Sequence, residues 1–189
     1  LETDTKEISY RNKRESVQVL GGKDILDFLM KSSTKTDTYF SACRCMYRTS
    51  IVKKILFVEG KINEDISWKY RILSQAKIMI DSNQIKYFYF QSTGSITTEG
   101  LKQKDFDLYD AANDLILLTQ NENYGNIRML AKVKSARTPF SLLCKIAFYG
   151  IADASIDNKK IVSKLVSELR KYLGLLIKSP MPGNRKIIA

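Results

Sequence analysis

The chain has 189 residues and contains no histidine, an absence that removes several common chemistries. Without an imidazole there is no Ser-His-Asp or Cys-His nucleophile pair. A zinc site built on histidine is excluded for the same reason. Any acid–base work must therefore fall to Asp, Glu, Lys, Tyr or Cys side chains.

Cysteine and long apolar runs are also scarce. The three cysteines are Cys43, Cys45 and Cys144, an odd number in which the first two are too close for an ordinary disulfide. We therefore expect reduced thiols and a cytoplasmic protein. No run approaches the roughly 20 apolar residues that a membrane span needs, and the polar start lacks the apolar segment of a signal peptide. Because the first residue is not Met and the last residues open an apolar run, we expect a piece of a longer protein.

Positive charge is what the sequence has in excess. There are 31 Lys and Arg against 20 Asp and Glu, which gives a net charge of +11. A surplus of this size indicates an anionic partner, which is a nucleic acid, an acidic lipid surface or a phosphorylated substrate. The 44% of hydrophobic residues is typical of a folded globular protein.

The first hundred residues mix strand and helix patterns. They predict a strand pair or a strand and loop over 8–20, a helix over 23–31, a polar loop over 32–38, a strand leading into a short helix over 39–55, and strands at 77–80 and 85–90. Residues 91–100 have the composition of a loop.

A further helix is predicted over 63–77. Asn63 is a good N-cap, and the acids Glu64 and Asp65 suit the first turn, where the helix dipole favours negative charge. The apolar positions that follow have helical spacing: Ile66, Tyr70, Leu73 and Ala76. From the residues alone, the two acids are either a solvated helix start or the place of a catalytic base.

From residue 101 onward the pattern becomes helical. It predicts a helix capped by Asp105, one over about 125–136, one that starts at Thr138-Pro139 and ends at Gly150, and one over about 158–178 capped by Asp157. We therefore divide the chain into a mixed α/β part at 1–100 and a helical part at 101–189.

The last predicted helix is basic and amphipathic. Residues 158–189 contain eight basic residues and one acid, Glu168. Three alternatives remain for this helix. It packs on the domain with its lysines in solvent, it lies on an anionic membrane surface, or it contacts a partner helix or a second copy of the chain.

Three motifs stand in a fixed order. The first is "MYRTSIVKKILFVEGKINEDISWKYRIL" (46–73), whose matching positions are Tyr47-Arg48, Phe57, Glu59-Gly60-Lys61 and Glu64-Asp65. The second is "YFYFQSTGSITT" (87–98), whose matching positions are Tyr87, Tyr89 and Gly94-Ser95-Ile96. The third is the helical region that begins "KDFDLYDAAND". With these motifs the chain resembles the family 2 (GT-A type) glycosyltransferases of bacterial capsule, exopolysaccharide and wall-polymer synthesis.

The resemblance implies a fold and an activity. It implies the C-terminal portion of a GT-A-like α/β domain, with a small sheet in its acceptor side at 1–100 and a helical region at 101–189. The full-length protein would be an inverting glycosyltransferase of cell-surface polysaccharide synthesis. It would move a sugar from a nucleotide-sugar, a UDP-sugar in expectation, to a saccharide or lipid-linked acceptor.

The resemblance also implies what would lie outside this chain. Family members hold a divalent metal, Mg²⁺ or Mn²⁺, on an Asp-x-Asp motif that ends their donor-binding half. Here Asp105-Phe106-Asp107 has the letters of that motif but stands after the Glu-Asp helix, in the wrong order. We therefore expect the metal in the full-length enzyme, no metal on this chain, and no activity from this chain alone.

The catalytic residues carried over from the family are the two adjacent acids. The resemblance assigns the general base to Asp65 and makes Glu64 a neighbour that binds acceptor or orients the loop. We expect the free N–H groups of the first helical turn to keep the pKa of this carboxyl low, so that it is ionised at cytoplasmic pH.

The remaining site residues belong to the two substrates. Arg48 and Trp68 are expected at the acceptor, although Trp68 is equally consistent with core packing. Gly94 and Ser95 are expected in a loop over the donor diphosphate. No metal ligand is assigned.

Two functions without catalysis are alternatives. The net charge is consistent with a nucleic-acid-binding module, although no RNP-like or other DNA-binding motif is present. The helix over 158–178 is consistent with a membrane-docking or homo-oligomerisation module, which would place a cytoplasmic protein at the inner face of the membrane.

Overall fold

The computed structural model describes residues 15–84, 87, 96 and 98–183. This part of the chain has a mixed α+β fold that is mostly helical, with a two-stranded antiparallel sheet. In chain order its strands and α-helices are β1 (Val17–Gly21), α1 (Asp24–Lys35), α2 (Thr49–Val52), α3 (Asp65–Ser74), β2 (Ile78–Ser82), α4 (Asp107–Thr119), α5 (Ile127–Ala136), α6 (Thr138–Tyr149) and α7 (Asn158–Lys178). Short 3₁₀ helices lie at Asp37–Phe40, Ala42–Arg44 and Gln103–Phe106. The expected mixed class, with a small sheet followed by a helical region, is confirmed.

The two strands pair antiparallel, with Val19 opposite Ile80. One face of this sheet packs on the core through Leu20 and Met79. The other face is exposed and carries the β-branched side chains Val17, Val19, Ile78 and Ile80. A strand at the end of the 8–20 range and the strand at 77–80 are confirmed as β1 and β2. Residues 8–14 lie outside the described residues, as does the predicted strand at 85–90 except for position 87.

The largest hydrophobic core joins the two halves of the chain. Helices α1 and α3 contribute Ile25 and Ile66, and helices α4 and α5 contribute Leu115 and Leu130, all of them buried. The ring of Phe40, from the 3₁₀ helix after α1, is buried in the same cluster. Residues from both sides of position 100 therefore share one core, and the division of the chain at that position stays a prediction.

The last three helices pack on one another through smaller clusters. The apolar side of α7 is buried, with Leu169 and Leu176 against Val133 and Ala136 of α5, and Leu165 against Leu142 of α6. The α7 helix is therefore packed on the domain, as one of the three alternatives predicted. Within the described residues, no helix is long and apolar enough to cross a membrane.

Capping residues in the sequence correctly predicted the start of α7 and the end of α6. The side chain of Asp157 accepts a hydrogen bond from the backbone N–H of Lys160 at 3.0 Å, so it caps α7 as expected. Helix α6 ends before Gly150, whose φ of 72° lies in the left-handed region that favours glycine. Its N-cap is Arg137 rather than the predicted Thr138.

Two predictions for the segment after residue 31 are wrong. Residues 32–35 continue α1 instead of forming a polar loop, and Ser33 and Thr34 are buried in it. Their hydroxyls donate to the carbonyls of Met30 and Lys31 at 2.7 Å, so the polar side chains are satisfied by their own helix. In residues 39–55 the predicted short helix is present as α2, but 3₁₀ turns stand where the strand was expected.

Candidate active site

The Glu-Asp pair lies at the start of α3, as the sequence predicts, but the cap differs. Helix α3 begins at Asp65, and Glu64 occupies the N-cap position without a side-chain capping hydrogen bond. Asn63 has a φ of 61°, a left-handed conformation that asparagine tolerates better than most residues. Asn63 therefore turns the chain into the helix, and the prediction that it is the N-cap is wrong.

Asp65 is half-buried, and this decides its electrostatics. Burial raises the pKa of its carboxyl, and the neighbouring charge of Glu64 raises it further. The positive charges of Lys134 and Lys69 and a backbone hydrogen bond act in the opposite direction without cancelling the rise. The expectation of a low pKa is therefore wrong, because desolvation outweighs the helix N-terminus here.

An aromatic layer covers this end of α3. The ring of Trp68 stacks on Phe57 with centroids 4.3 Å apart, and Tyr47 meets it edge-on at 5.3 Å. The indole Nε1–H donates to the carbonyl of Ile55 at 2.8 Å, and Trp68 is only 4% exposed. Trp68 is therefore a core side chain. Core packing was one of the two alternatives predicted for it, and we no longer assign it to the acceptor.

Sequence reasoning missed Lys69, a buried cation one turn after Asp65. Its ammonium donates to the carbonyl of Ser41 at 3.2 Å and contacts Cys45 Sγ at 3.0 Å. Burial, then the neighbouring Cys45 and then the charge of Asp65 raise the pKa of Tyr47. The i,i+4 spacing of Asp65 and Lys69 is the signal that could have identified this lysine.

A groove of about 780 Å³ lies next to the loop that leads into α3. Its lining is formed by residues 59–61, 102–104, 106, 107, 110, 152 and 153. The ammonium of Lys61 donates to the carboxylates of Asp107 and Asp110 at 2.8 Å each. The backbone N–H of Ile62 donates to Asp107 at 3.2 Å, so the loop is tied to the start of α4.

The charges of the groove have both signs. The hydrogen bond from Lys61 lowers the pKa of Asp107, and hydrogen bonds from the side chain and backbone of Ser155 lower the pKa of Asp153. Lys104 is an exposed cation at the rim, and Phe106 supplies apolar surface. Such a lining offers donors, acceptors and one aromatic ring, which suits a polar ligand that carries many hydroxyl groups.

The predicted site residues fall into three groups. Glu64 and Asp65 lie at the start of α3 without lining the groove, while Glu59-Gly60-Lys61 of the same motif do line it. Arg48 is exposed and directly precedes α2. Gly94 and Ser95 lie outside the described residues.

The Asp105-Phe106-Asp107 sequence forms ion pairs. One carboxylate oxygen of Asp105 accepts from the backbone N–H of Lys102 at 2.7 Å, and the other accepts from the ammonium of Lys145 at 2.5 Å. Asp107 is held by Lys61, as described above. Across the described ranges, no group of three or more Cys, Asp or Glu side chains is placed to hold a metal ion. The carboxylates of Asp105 and Asp107 are therefore both engaged by lysine ammonium groups.

The loop that leads into α3 is bonded to the start of α4. Ion pairs join Lys61 to the first turn of α4 and Arg71, near the end of α3, to Asp114 one to two turns further along α4. Helices α3 and α4 therefore run in the same direction and start side by side. Comparison of this chain with protein-family models, with curated proteins and with solved structures gave no match.

Proposed function

We propose that this chain is the acceptor-side part of an inverting glycosyltransferase. The enzyme moves a sugar from a nucleotide-sugar donor to a saccharide or lipid-linked acceptor. The observation that carries the proposal is Asp65, a half-buried carboxylate with a raised pKa at the start of the helix that follows the groove-lining residues 59–61. A carboxylate with a raised pKa is a stronger base than an ordinary one, which is what abstraction of a proton from a hydroxyl requires.

In the proposed step, Asp65 accepts the proton of the acceptor hydroxyl. The hydroxyl oxygen attacks the anomeric carbon of the donor and forms the new glycosidic bond. The bond from that carbon to the diphosphate oxygen breaks, and its electron pair leaves with the nucleoside diphosphate. General-base catalysis of this kind contributes about 10²–10⁴-fold to a rate. The expected Mg²⁺ or Mn²⁺ on the diphosphate belongs to the donor-binding half, and no step here passes through it.

The groove is the proposed acceptor site. Its volume of about 780 Å³ falls within the roughly 300–1,000 Å³ of sites for small ligands. Lysines and carboxylates along it can bond to sugar hydroxyls in both directions, and the Phe106 ring can pack against a sugar face. Residues 59–61 line the groove and lead into α3, whereas Asp65 does not line it, so the acceptor hydroxyl must extend beyond this loop to within hydrogen-bond distance of the base.

The charges around Asp65 set its strength as a base. Glu64 raises the pKa of Asp65, while Lys69 and Lys134 hold the rise in check. We assign these three side chains to positioning and tuning the carboxylate rather than to contact with the reacting atoms. Glu64 keeps the role of a neighbour that orients the loop.

The experiment is a transfer assay on the full-length protein, with UDP release from UDP-glucose, UDP-galactose and UDP-N-acetylglucosamine as the readout. We expect Asp65→Asn to lower turnover by at least about 10²-fold and to leave donor affinity nearly unchanged. Asp114→Asn, on the neighbouring helix, is the matched control and should keep its activity. This chain alone should transfer nothing.

Two outcomes count against the proposal in different ways. Retained turnover in Asp65→Asn would remove Asp65 from the base role while leaving the enzyme class open. If the coding sequence of the full-length protein lacks a donor-binding half, the assignment of the protein to the glycosyltransferases is wrong.

A further inference from the structure

Helix α7 presents a row of cations to solvent. Its buried side, with Leu165, Leu169 and Leu176, faces α5 and α6 and so fixes which residues point outward. The exposed positions on the opposite side recur at helical spacing: Lys160, Ser163, Lys164, Ser167, Arg170, Lys171, Gly174 and Lys178. This set is called the cationic face below, and it contains no acidic residue.

The only acid within α7 does not lie on the cationic face. Glu168 is half-buried and accepts a hydrogen bond from the Tyr109 hydroxyl, and it lies 4.0 Å from the ammonium of Lys164. For Lys160, Arg170, Lys171 and Lys178 the structure records no ion pair within the described part of the chain. Four of the five cations therefore keep their charge available for a partner outside the domain.

The cationic face is long. Eighteen residues separate Lys160 from Lys178, which corresponds to about 27 Å along an α-helix. Between the cations lie only small side chains, Ser163, Ser167 and Gly174. The helix backbone can therefore approach a flat anionic surface closely while the lysines reach it from both sides.

We propose that the cationic face docks on an anionic lipid surface, with headgroup phosphates as its ligands. A planar surface meets the row along its whole length, and basic residues next to such a surface each add to the attraction. The face carries no Asn or Gln, the side chains that read adenine edges in nucleic acids. Lysine is a compact point charge, which suits a field spread over many headgroups.

The inference does not depend on the glycosyltransferase activity proposed above. If both hold, α7 would bring the protein to a membrane that carries a lipid-linked acceptor. If the activity fails, docking to lipid remains testable with the same protein, because its readout is binding alone.

The first test is co-sedimentation of the 189-residue chain with lipid vesicles. We expect binding to phosphatidylcholine vesicles that contain phosphatidylglycerol and none to phosphatidylcholine alone. Binding should weaken as salt is raised, because mobile ions screen charges at the surface.

The second test replaces four lysines of the face, Lys160, Lys164, Lys171 and Lys178, by glutamine. We expect affinity for the anionic vesicles to fall about fivefold for each lysine and several hundredfold in all. The matched control replaces four exposed lysines elsewhere, Lys23, Lys53, Lys77 and Lys132, which lowers net charge equally and should leave most of the binding. Thermal unfolding of both variants checks that they fold.

Three results would overturn docking to lipid. One is no binding to vesicles with phosphatidylglycerol at low salt. Another is an equal loss of binding in the two quadruple variants, which would show that binding depends on net charge and not on the cationic face. The third is tighter binding to duplex DNA of random sequence than to these vesicles at the same salt, which would reassign the cationic face to nucleic acid.

Discussion

Asp65 and Asp107 are the same residue type at the same position, the first residue of a helix, and their helices start side by side. Yet the pKa of Asp65 is raised and the pKa of Asp107 is lowered. Asp107 accepts hydrogen bonds from the Lys61 ammonium and the Ile62 N–H, whereas Asp65 is half-buried beside the like charge of Glu64. The helix dipole acts on both and is worth only about 0.3–1 kcal/mol. Burial and immediate partners therefore decide which carboxylate is the stronger base.

This difference separates a chemical role from a structural one. Where two carboxylates in one region have their pKa values pushed apart, the environments indicate which can exchange a proton in catalysis. Asp65, with the raised pKa, is the candidate base. Asp107, paired with Lys61 in the groove wall, anchors the loop over 59–62 to α4.

The largest expected effect comes from removing the aromatic layer next to Asp65. Trp68→Ala deletes a buried indole and should lower the free energy of unfolding by about 3–5 kcal/mol. If the protein still folds, the pKa of Asp65 should fall toward that of Asp107, because water reaches the carboxyl. Urea unfolding measures the first effect.

Trp68→Phe is the milder companion variant. It keeps a stacked ring on Phe57 but loses the hydrogen bond to the Ile55 carbonyl, which is worth about 0.5–1.5 kcal/mol. Equal losses in the two variants would show that the layer does not pack as described.

A second variant, Gly60→Ala, disturbs the loop that holds Lys61 next to Asp107. Gly60 has a φ of 74°, and a Cβ placed there would meet nothing within 4 Å, so the cost is backbone strain alone. That strain is about 1–2 kcal/mol, and its relief would move Lys61 away from Asp107. Gly22→Ala, at a φ of 54° and equally uncrowded, is the matched control in the turn between β1 and α1. Chemical denaturation of both should give similar losses, and only Gly60→Ala should alter the titration of Asp107.

The pH dependence of stability should have opposite signs for the two acids. Because the pKa of Asp65 is raised in the folded state, its contribution to stability is present at low pH and is lost as pH rises through the folded pKa. Asp107 has a lowered pKa, so its contribution is present above the unfolded pKa and is lost as pH falls through the folded one.

The corresponding variants follow from these signs. Asp65→Asn should gain stability relative to wild type as pH rises toward neutral, and Asp107→Asn should lose it. Urea midpoints recorded from about pH 7 down to about pH 3 would show the two trends. Trends of the same sign would mean that the two carboxylates share one environment.

The smallest effect is expected from Lys61→Gln. Its ammonium is exposed, and exposed ion pairs contribute little to stability because water and salt screen them. The pKa of Asp107 should nevertheless rise toward its ordinary value, because the hydrogen bond from Lys61 is the main cause of its lowering. An unchanged titration of Asp107 would refute the pairing.

The parts of the fold that depend on neighbours in sequence were predictable. Asp157 caps α7, and Gly150 ends α6, because caps and left-handed turns act within a few residues. The end of α1 was not predictable in the same way. Ser33 and Thr34 are usually loop residues, but here they are buried in α1 and their hydroxyls are satisfied by carbonyls of the same helix.

The candidate site was predictable in position but not in its electrostatics. The Glu-Asp spacing placed Asp65 at a helix start, as found. The sign of its pKa shift depends on burial and on the charge of Glu64, and Tyr47 interacts with Asp65 electrostatically from a separate segment. The groove likewise depends on a pairing of Lys61 with Asp107 across 46 residues. Single-sequence patterns carry no information on such distant contacts.

The opposite environments of Asp65 and Asp107 are tested most directly by following their side-chain carboxyl carbons by NMR as pH is varied. An unperturbed aspartate titrates at about 3.9. We predict a midpoint above this value for Asp65 and below it for Asp107. Midpoints that coincide, or that fall in the reverse order, would contradict the assignment of Asp65 as the base.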